Sequence, residues 1–593
     1  MNQTPNKVQP ISPVQRVRAW FGLLVLIFGI FIIRSFYLQV IRYDFYKKAA
    51  LNDQLKEYQI SASRGVIEIH EGDSIVPLVL NQKLYTVYAD PTIVKNPDKV
   101  SGTLSSILGM SQADVSKLIK TPLTRYVVLA KKVSSDQSSK ILSNKFPGIG
   151  TLEQDYRTYP QGPTASQLLG FVNDNGTGEY GIEQALNTEL KGKAGQLKAV
   201  TDINGIPLAA TSSNISTAPV AGNNIVLTVD MGMQTQMEQI LAREAGTLKT
   251  KNMSAVIMDV NTGAIKAMAN YPTFDPSNYQ NVSDPSTFQN SAVTNAIEPG
   301  STMKTLTTAA ALNQGVIQPN TTFYDPAHWL VDGFNITDIE EDGGPRTQSI
   351  ATTLNLSLNT GATWMLMQMG GGQINAKARS AWYDYMSNRY MLGQATGIEQ
   401  GYEANGYIPG PKDNGAGINL TYANTSFGQG VTVTALQMTA AVSSILNGGT
   451  YYQPYLVDQT VTPDGRTIST KPKVLRSNVV SPQVSQEMIP LMEYVVQQHL
   501  ISGFSYLNFS PNYIVGGKTG TAQIAKPGGG YYDNQFNGTY VGFVGGDKPQ
   551  YAIVVYTVQP QVHGYAGSMA GQPIFGDLAH MLINNFGVTP KSH

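Results

Sequence analysis

The sequence predicts a multi-domain α/β (α+β) protein: an antiparallel sheet covered by helices, preceded by an elongated N-terminal region and a single transmembrane helix. Three observations predict it. An apolar run lies near the N-terminus, a linker of small polar residues falls before residue 225, and strand, helix and hairpin patterns follow that linker in quick succession. At 593 residues the chain is too long for one core, so two to four units are expected.

The apolar run is Ala19 to Ile33, fifteen residues without a charge, and apolar character resumes after Arg34 through Phe36, Leu38, Val40 and Ile41. A spanning helix needs roughly 20 residues. The run reaches that length if Arg34 lies near one interface and extends its charge outward. The alternative is a cleaved signal peptide, but no A-x-A site follows the run closely. An uncleaved anchor is therefore favoured. Charge does not orient it, because Lys7, Arg16 and Arg18 precede the span while Arg34, Arg42, Lys47 and Lys48 follow it.

Beyond the anchor, Asp53 to Ile60 is expected to continue as helix. Leu84 to Ala89 alternates and is rich in β-branched and aromatic residues, so it reads as a strand. Gln112 to Ile119 reads as a helix and Arg125 to Leu129 as a strand. No catalytic constellation is visible there, and the expectation is a structural support. Ala210 to Asn224 has linker composition, with Pro219 and Gly222 among Ser, Thr, Ala and Asn. Then come a strand at Ile225 to Val229, a helix at Met231 to Ala245 and a strand at Ser254 to Asp259. A turn at Asn261-Thr262-Gly263 leads into Ala264 to Ala269.

Composition narrows the chemistry. Lys+Arg and Asp+Glu balance at 41 each, and no basic patch interleaves with aromatics, so no nucleic-acid partner is expected. There is no cysteine, which excludes disulfides, a Cys nucleophile and thiolate metal sites. The six histidines are scattered without H-E-x-x-H spacing, so no metal and no other cofactor are expected.

Three polar motifs remain, in a fixed order: Ser301-Thr302-Met303-Lys304, Ser357-Leu358-Asn359 and Lys518-Thr519-Gly520. Glu298-Pro299-Gly300 breaks structure just before Ser301, and Thr302 to Leu312 reads as a helix. Ser301 is thus expected at a helix N-terminus, where backbone N–H groups favour developing negative charge. Lys304 lies one turn on, on the same face. As a neutral amine it can take the Ser301 proton if burial and a second cation, Lys518, lower its pKa. A tight turn points Ser357 and Asn359 into one cleft. Ser357 then relays a proton between Lys304 and the leaving group, and Asn359 holds Lys304 or a substrate amide. Tyr513 to Gly517 reads as an edge strand, against which a substrate backbone can lie. Lys518 and Thr519 suit a carboxylate, Gly520 leaves the strand open, and the Thr521 N–H can join the Ser301 N–H as an oxyanion hole.

Singly, Ser-x-x-Lys is usually a solvated helix face and Ser-x-Asn a turn or cap. Gly517-Lys518-Thr519 is not a phosphate loop, because position 512 is Asn512. No G-x-S-x-G elbow is present. Jointly the motifs point to serine acyl transfer in which lysine manages the proton.

With these motifs the chain resembles the class B penicillin-binding proteins, monofunctional peptidoglycan D,D-transpeptidases. The resemblance extends to Arg64-Gly65-Val66-Ile67, Arg157-Thr158-Tyr159-Pro160, Leu169-Gly170-Phe171-Val172 and Gly178 to Glu183. In the second half it covers Glu298 to Lys304, Ser426-Phe427-Gly428-Gln429-Gly430, Val433 to Gln437 and Asn447-Gly448-Gly449. It implies the penicillin-binding transpeptidase fold over residues 221–590 and a pedestal, or dimerisation-type, domain over 42–220. Before these come an anchor over 19–41 and a cytoplasmic tail over 1–18, with the catalytic domain on the outer side of the plasma membrane. Its partners would be D-Ala-D-Ala stem peptides, β-lactams, the membrane, a SEDS-type glycosyltransferase and other division or elongation proteins. The chain departs from the family at Glu68 to Asp73, where an Asp-Arg-x-Gly turn is usual, and at Ala435, where proline is common. The Gly- and Tyr-rich segment Lys526 to Asn537 is expected to close over the acceptor strand.

Two rivals use the same residues. One is a D,D-carboxypeptidase or β-lactamase-type hydrolase, which differs only in the nucleophile that reaches the acyl-enzyme. The other is a non-catalytic β-lactam-binding scaffold, against which the intact motifs argue. A glycosyltransferase activity within the chain is not expected, since residues 42–220 are short for such a domain.

Overall fold

A computed structural model describes residues 13–47, 55–200, 215–338, 345–412 and 415–592. The chain divides into two compact units, residues 1–62 with 193–220, and residues 63–192 with 221–593.

The first unit holds the helix α1, Pro13–Phe36, which runs on through a π-turn at Tyr37–Ile41. Together they form the one helix, among the described residues, long and apolar enough to cross a membrane. Arg34 lies at its C-terminal end with its guanidinium 5.5 Å from the Tyr37 ring, as an interfacial anchor would. The same unit holds three strands, Leu55–Ile60, Gly195–Val200 and Ile215–Thr217, in antiparallel order. Residues 55–60 are therefore strand, not the helix expected there, while Asp53 and Gln54 lie outside the described residues. A ladder partner far along the chain overrides local preference. Of the expected linker, 210–214 also lies outside the described residues.

In the second unit, β1, Ile67–Glu71, turns at Gly72-Asp73 into β2, Ser74–Ala89. The segment Glu68 to Asp73, where the family's usual turn is missing, is thus a hairpin. Val127–Val133 and Ile149–Thr158 pair with β2, the first starting two residues later than the expected Arg125. Gln112–Ile119 is the expected helix, with Ser111 accepting from the Asp114 N–H as its cap. The sheet continues across the expected boundary at 220 and 221. Strand β3, Asn224–Asp230, lies parallel to β1 on one edge and antiparallel to Val457–Val461 on the other.

Three sequence motifs of the pedestal meet in one buried cluster. Arg64 Nε and Arg157 Nε donate to the two oxygens of Glu183 at 2.7 and 2.8 Å, and Glu183 is fully buried. Asn187 and Asn81 accept from the outer guanidinium nitrogens at 2.8 Å. The two guanidiniums share this one carboxylate, which holds both charges away from water.

The C-terminal half, which carries the three polar motifs, is built on a five-stranded antiparallel sheet. Helix α2, Met231–Leu248, precedes β4, Asn252–Asp259, and β5, Ile265–Tyr271. The last three strands are β6, Ile514–Ala525, β7, Tyr531–Gly545, and β8, Pro549–Val558. The order is β5-β4-β8-β7-β6, so β6 is an edge. Residues alternate between two cores. Ala255, Ile257, Ile553 and Val555 pack with α2 and the C-terminal helix Gln572–Asn585. Val256, Met258, Ala552 and Val554 face the buried helices Met303–Asn313 and Ala435–Leu446. Each fully buried Val, Ile or Leu contributes about 1.5–3 kcal/mol.

Candidate active site

Ser301 stands on a 3-10 turn. Gly300–Thr302 forms that turn, and α3, Met303–Asn313, continues it one residue later than expected. Gly300 has φ +57°, and a Cβ there would lie 2.6 Å from the Thr521 carbonyl oxygen. Only glycine lets the turn carrying Ser301 approach β6 this closely. On the other side the Gly300 N–H donates to Gly428 O at 3.1 Å, and Gly428 (φ +91°) would drive a Cβ to 1.9 Å from Gly300 O. The Ser426 to Gly430 motif thus lies directly under the turn that carries Ser301.

Lys304, one turn along α3, is fully buried. Its Nζ lies 2.9 Å from Ser301 Oγ, 3.1 Å from Ser357 Oγ and 2.8 Å from Asn359 Oδ1, and it also donates to the Ser357 carbonyl. Ser357 occupies the turn between α4, Ile350–Asn355, and α5, Asn359–Met369, at φ +60°. A non-glycine residue held there stores strain of about 1–3 kcal/mol, which the buried Leu358 and its N–H to the Thr353 carbonyl maintain. Lys518, also fully buried, sends Nζ to 3.0 Å from Ser357 Oγ and 2.9 Å from Thr519 O. One hydroxyl, Ser357 Oγ, therefore bridges the two lysines. Edge strand β6 presents Thr519, Thr521 and Gln523 to a cleft of about 360 Å³ that Ser301, Ser357, Asn359, Phe427 and His499 also line. Gly520 turns inward, where a Cβ would meet Thr539 Oγ1 at 2.2 Å and Pro299 O at 2.6 Å. All eight residues singled out in the sequence meet at or beside this cleft.

Residues 253–580 match the penicillin binding protein transpeptidase domain, and residues 59–227 the penicillin-binding protein dimerisation domain. The chain belongs to the class B penicillin-binding proteins. It is 31% identical to stage V sporulation protein D of Bacillus subtilis, over 96% of this chain and 86% of that one. It is 28% identical to peptidoglycan D,D-transpeptidase FtsI of Escherichia coli K12, over 96% and 92%. Among solved structures, penicillin binding protein 2X of Streptococcus thermophilus superposes with a TM-score of 0.71 at 25% identity, covering 88% of this chain and 79% of that one.

In this penicillin-binding protein, residues that the motifs did not reveal complete the walls. His499, in the last turn of the helix Pro482–Ile501, lines the cleft and accepts from Gln572 Nε2 at 2.6 Å on Nδ1. Burial, with the Lys518 charge beside it, pushes the imidazole down to about 4. It is neutral at physiological pH. Glu298 Oε1 accepts from the Gly430 N–H and from Tyr531 Oη, both at 2.9 Å. Burial raises Glu298, with both hydrogen bonds pulling against that rise. Tyr531 begins β7, so the segment Lys526 to Asn537 is tied at its middle to the residue that precedes Pro299-Gly300-Ser301, and its second half, residues 531–537, lies in the strand beside β6. No sequence pattern marks His499, and Glu298 stood out as part of a structure-breaking tripeptide and of the resemblance, without a role.

Proposed function

We propose that Ser301 cross-links peptidoglycan by D,D-transpeptidation, and the Ser357 hydroxyl bridging Lys304 and Lys518 is the observation that carries this reading. Lys304, as a neutral amine, takes the Ser301 Oγ proton while Oγ attacks the penultimate D-Ala carbonyl of a stem peptide. The Ser301 and Thr521 N–H groups receive the oxyanion. Collapse breaks the peptide bond, and the leaving D-Ala nitrogen takes a proton passed from Lys304 through Ser357, leaving an ester on Ser301. The amine of a second stem peptide attacks that ester. Its proton leaves by the same relay, and Ser301 Oγ is reprotonated as the new amide forms. Lys518 and Thr519 hold the terminal carboxylate, Gly520 keeps the strand close beneath it, and Asn359 fixes Lys304 or the substrate amide. β-Lactams mimic D-Ala-D-Ala and acylate the same oxygen.

The apolar helix fits a single-pass membrane protein with its catalytic domain on the outer side, working beside a SEDS-type glycosyltransferase in division or elongation. The deciding experiment incubates the detergent-solubilised full chain with a fluorescent penicillin and locates the label by mass spectrometry. Stable label on Ser301, absent in Ser301→Ala, is the expected result. Label that turns over within minutes indicates a hydrolase, and folded protein without label sinks the acyl-enzyme reading.

A further inference from the structure

Behind the second motif, two carboxyl groups meet at one hydroxyl. Thr360, the second residue of α5, is fully buried, and its Oγ1 lies 2.6 Å from Asp325 Oδ2 and 2.5 Å from Asp338 Oδ2. A hydroxyl carries one hydrogen, which satisfies one of these contacts. The other pair of oxygens, equally close, needs a hydrogen of its own, and only a carboxyl oxygen can supply it. Both contacts are met when the two carboxyl groups carry one proton across Thr360. Burial pushes Asp338 up, and the Asp325 charge adds to that rise against the hydrogen bonds from Thr360 and the charge of Lys304.

The same carboxyl group organises the catalytic turn. Asp338 Oδ1 accepts the N–H of Thr360 at 3.0 Å and that of Asn359, and so caps the first turn of α5. The neighbouring Thr337 carbonyl accepts from Asn359 Nδ2 at 3.1 Å. With its amide nitrogen fixed there, Asn359 can point Oδ1 only toward Lys304 Nζ, where it lies 2.8 Å away.

We propose that Asp338 is a positioning residue for acyl transfer: it shares one proton with Asp325 across Thr360 and, through the capped turn, holds Asn359 and Lys304 in register with Ser301. The proposal rests on Lys304 acting as the base. Charged groups on the elements around the pair are Lys304 on α3 and Lys518 on β6 beyond Ser357. Arg346 stands opposite Asp325 in its strand ladder. Asp325 Oδ1 is taken by the Ala327 N–H at 2.9 Å.

The test measures, on the solubilised full chain, the dissociation constant of penicillin and the first-order acylation rate across pH, with thermal unfolding alongside. Asp338→Ala removes the cap, and acylation slows roughly tenfold to a hundredfold with the dissociation constant unchanged. Asp338→Asn rescues, because its Nδ2 donates to Thr360 Oγ1 while Oδ1 keeps both N–H groups. The pair carries one negative charge before and after that change, so the acid limb of the rate profile stays in place. The double variant Asp325→Asn/Asp338→Asn removes that charge. Lys304 then holds its proton less tightly, and the limb moves down by about half a pH unit or more. Wild-type acylation in folded Asp338→Ala overturns the positioning role. A limb that moves in Asp338→Asn, even part of the way it moves in the double variant, overturns the shared proton, and so does a limb that stays put in both. If Asp338→Ala does not fold, the two asparagine variants still decide. Failure of the wild-type protein to label on Ser301 would instead sink the transpeptidase reading, before any variant is compared.

Discussion

The pedestal and the cleft both bury cationic side chains, and they differ in what they bury with them. Arg64 and Arg157 close on Glu183, a carboxylate with no exposed surface. Lys304 and Lys518 are just as deeply buried but are joined through a hydroxyl, Ser357 Oγ. An arginine–carboxylate cluster fixes every protonation state, because guanidinium keeps its proton at any physiological pH. Two lysines bridged by a hydroxyl leave a proton free to move. The first arrangement supports a scaffold and the second a reaction.

The comparison is open to attack at both ends. Lys304→Ala should lower acylation by penicillin about a hundredfold to ten-thousandfold while unfolding stays cooperative at an unchanged or higher temperature, read by stopped-flow labelling and calorimetry. A large loss of stability there would show that the cleft lysine is scaffold after all. Glu183→Ala should do the reverse. It leaves two guanidiniums without their carboxylate and costs about 3–5 kcal/mol in denaturant unfolding, with the acylation rate of the folded fraction unchanged.

Glu238 sharpens the contrast, since it is a buried carboxylate whose partners are neutral, Gln234 Nε2 at 2.8 Å and the Ala165 N–H at 2.7 Å. Burial pushes it up to about 7. The folded state therefore holds that proton more tightly than the unfolded chain, and the stability it contributes is lost as pH rises from the ordinary carboxylate range through 7. Glu238→Gln should match the wild type near pH 4 and exceed it by about 3 kcal/mol at pH 8. Equal stability at both pH values would mean the carboxylate is hydrated. The smallest effect is expected at Tyr531→Phe. Loss of its bond to Glu298 should cost about 1 kcal/mol and slow cross-linking more than acylation, since the segment it begins flanks the acceptor strand. Equal slowing of both steps would place Tyr531 with the nucleophile instead.

The three polar motifs were legible because their logic is local. Ser301 and Lys304 are one helical turn apart, Ser357 and Asn359 share one turn, and Lys518 to Thr521 lie on one edge strand. Asp325, Asp338 and His499 were not legible. Each is a single polar residue with no periodic neighbour, and its role exists only once Thr360, Asn359 or Gln572 is brought beside it from a distant stretch of chain. The strand Leu55–Ile60 was read as helix for the same reason, because its partners come from residues 195–200. The strand and helix patterns from Ile225 to Ala269 were legible, since alternation and helical spacing there agree with the final packing.

Strand β3 has a mechanical consequence. It is hydrogen-bonded to β1 of the pedestal on one edge and to Val457–Val461 of the catalytic half on the other. A pull on β1 has to shear two ladders at once, and so passes through β3 into Val457–Val461.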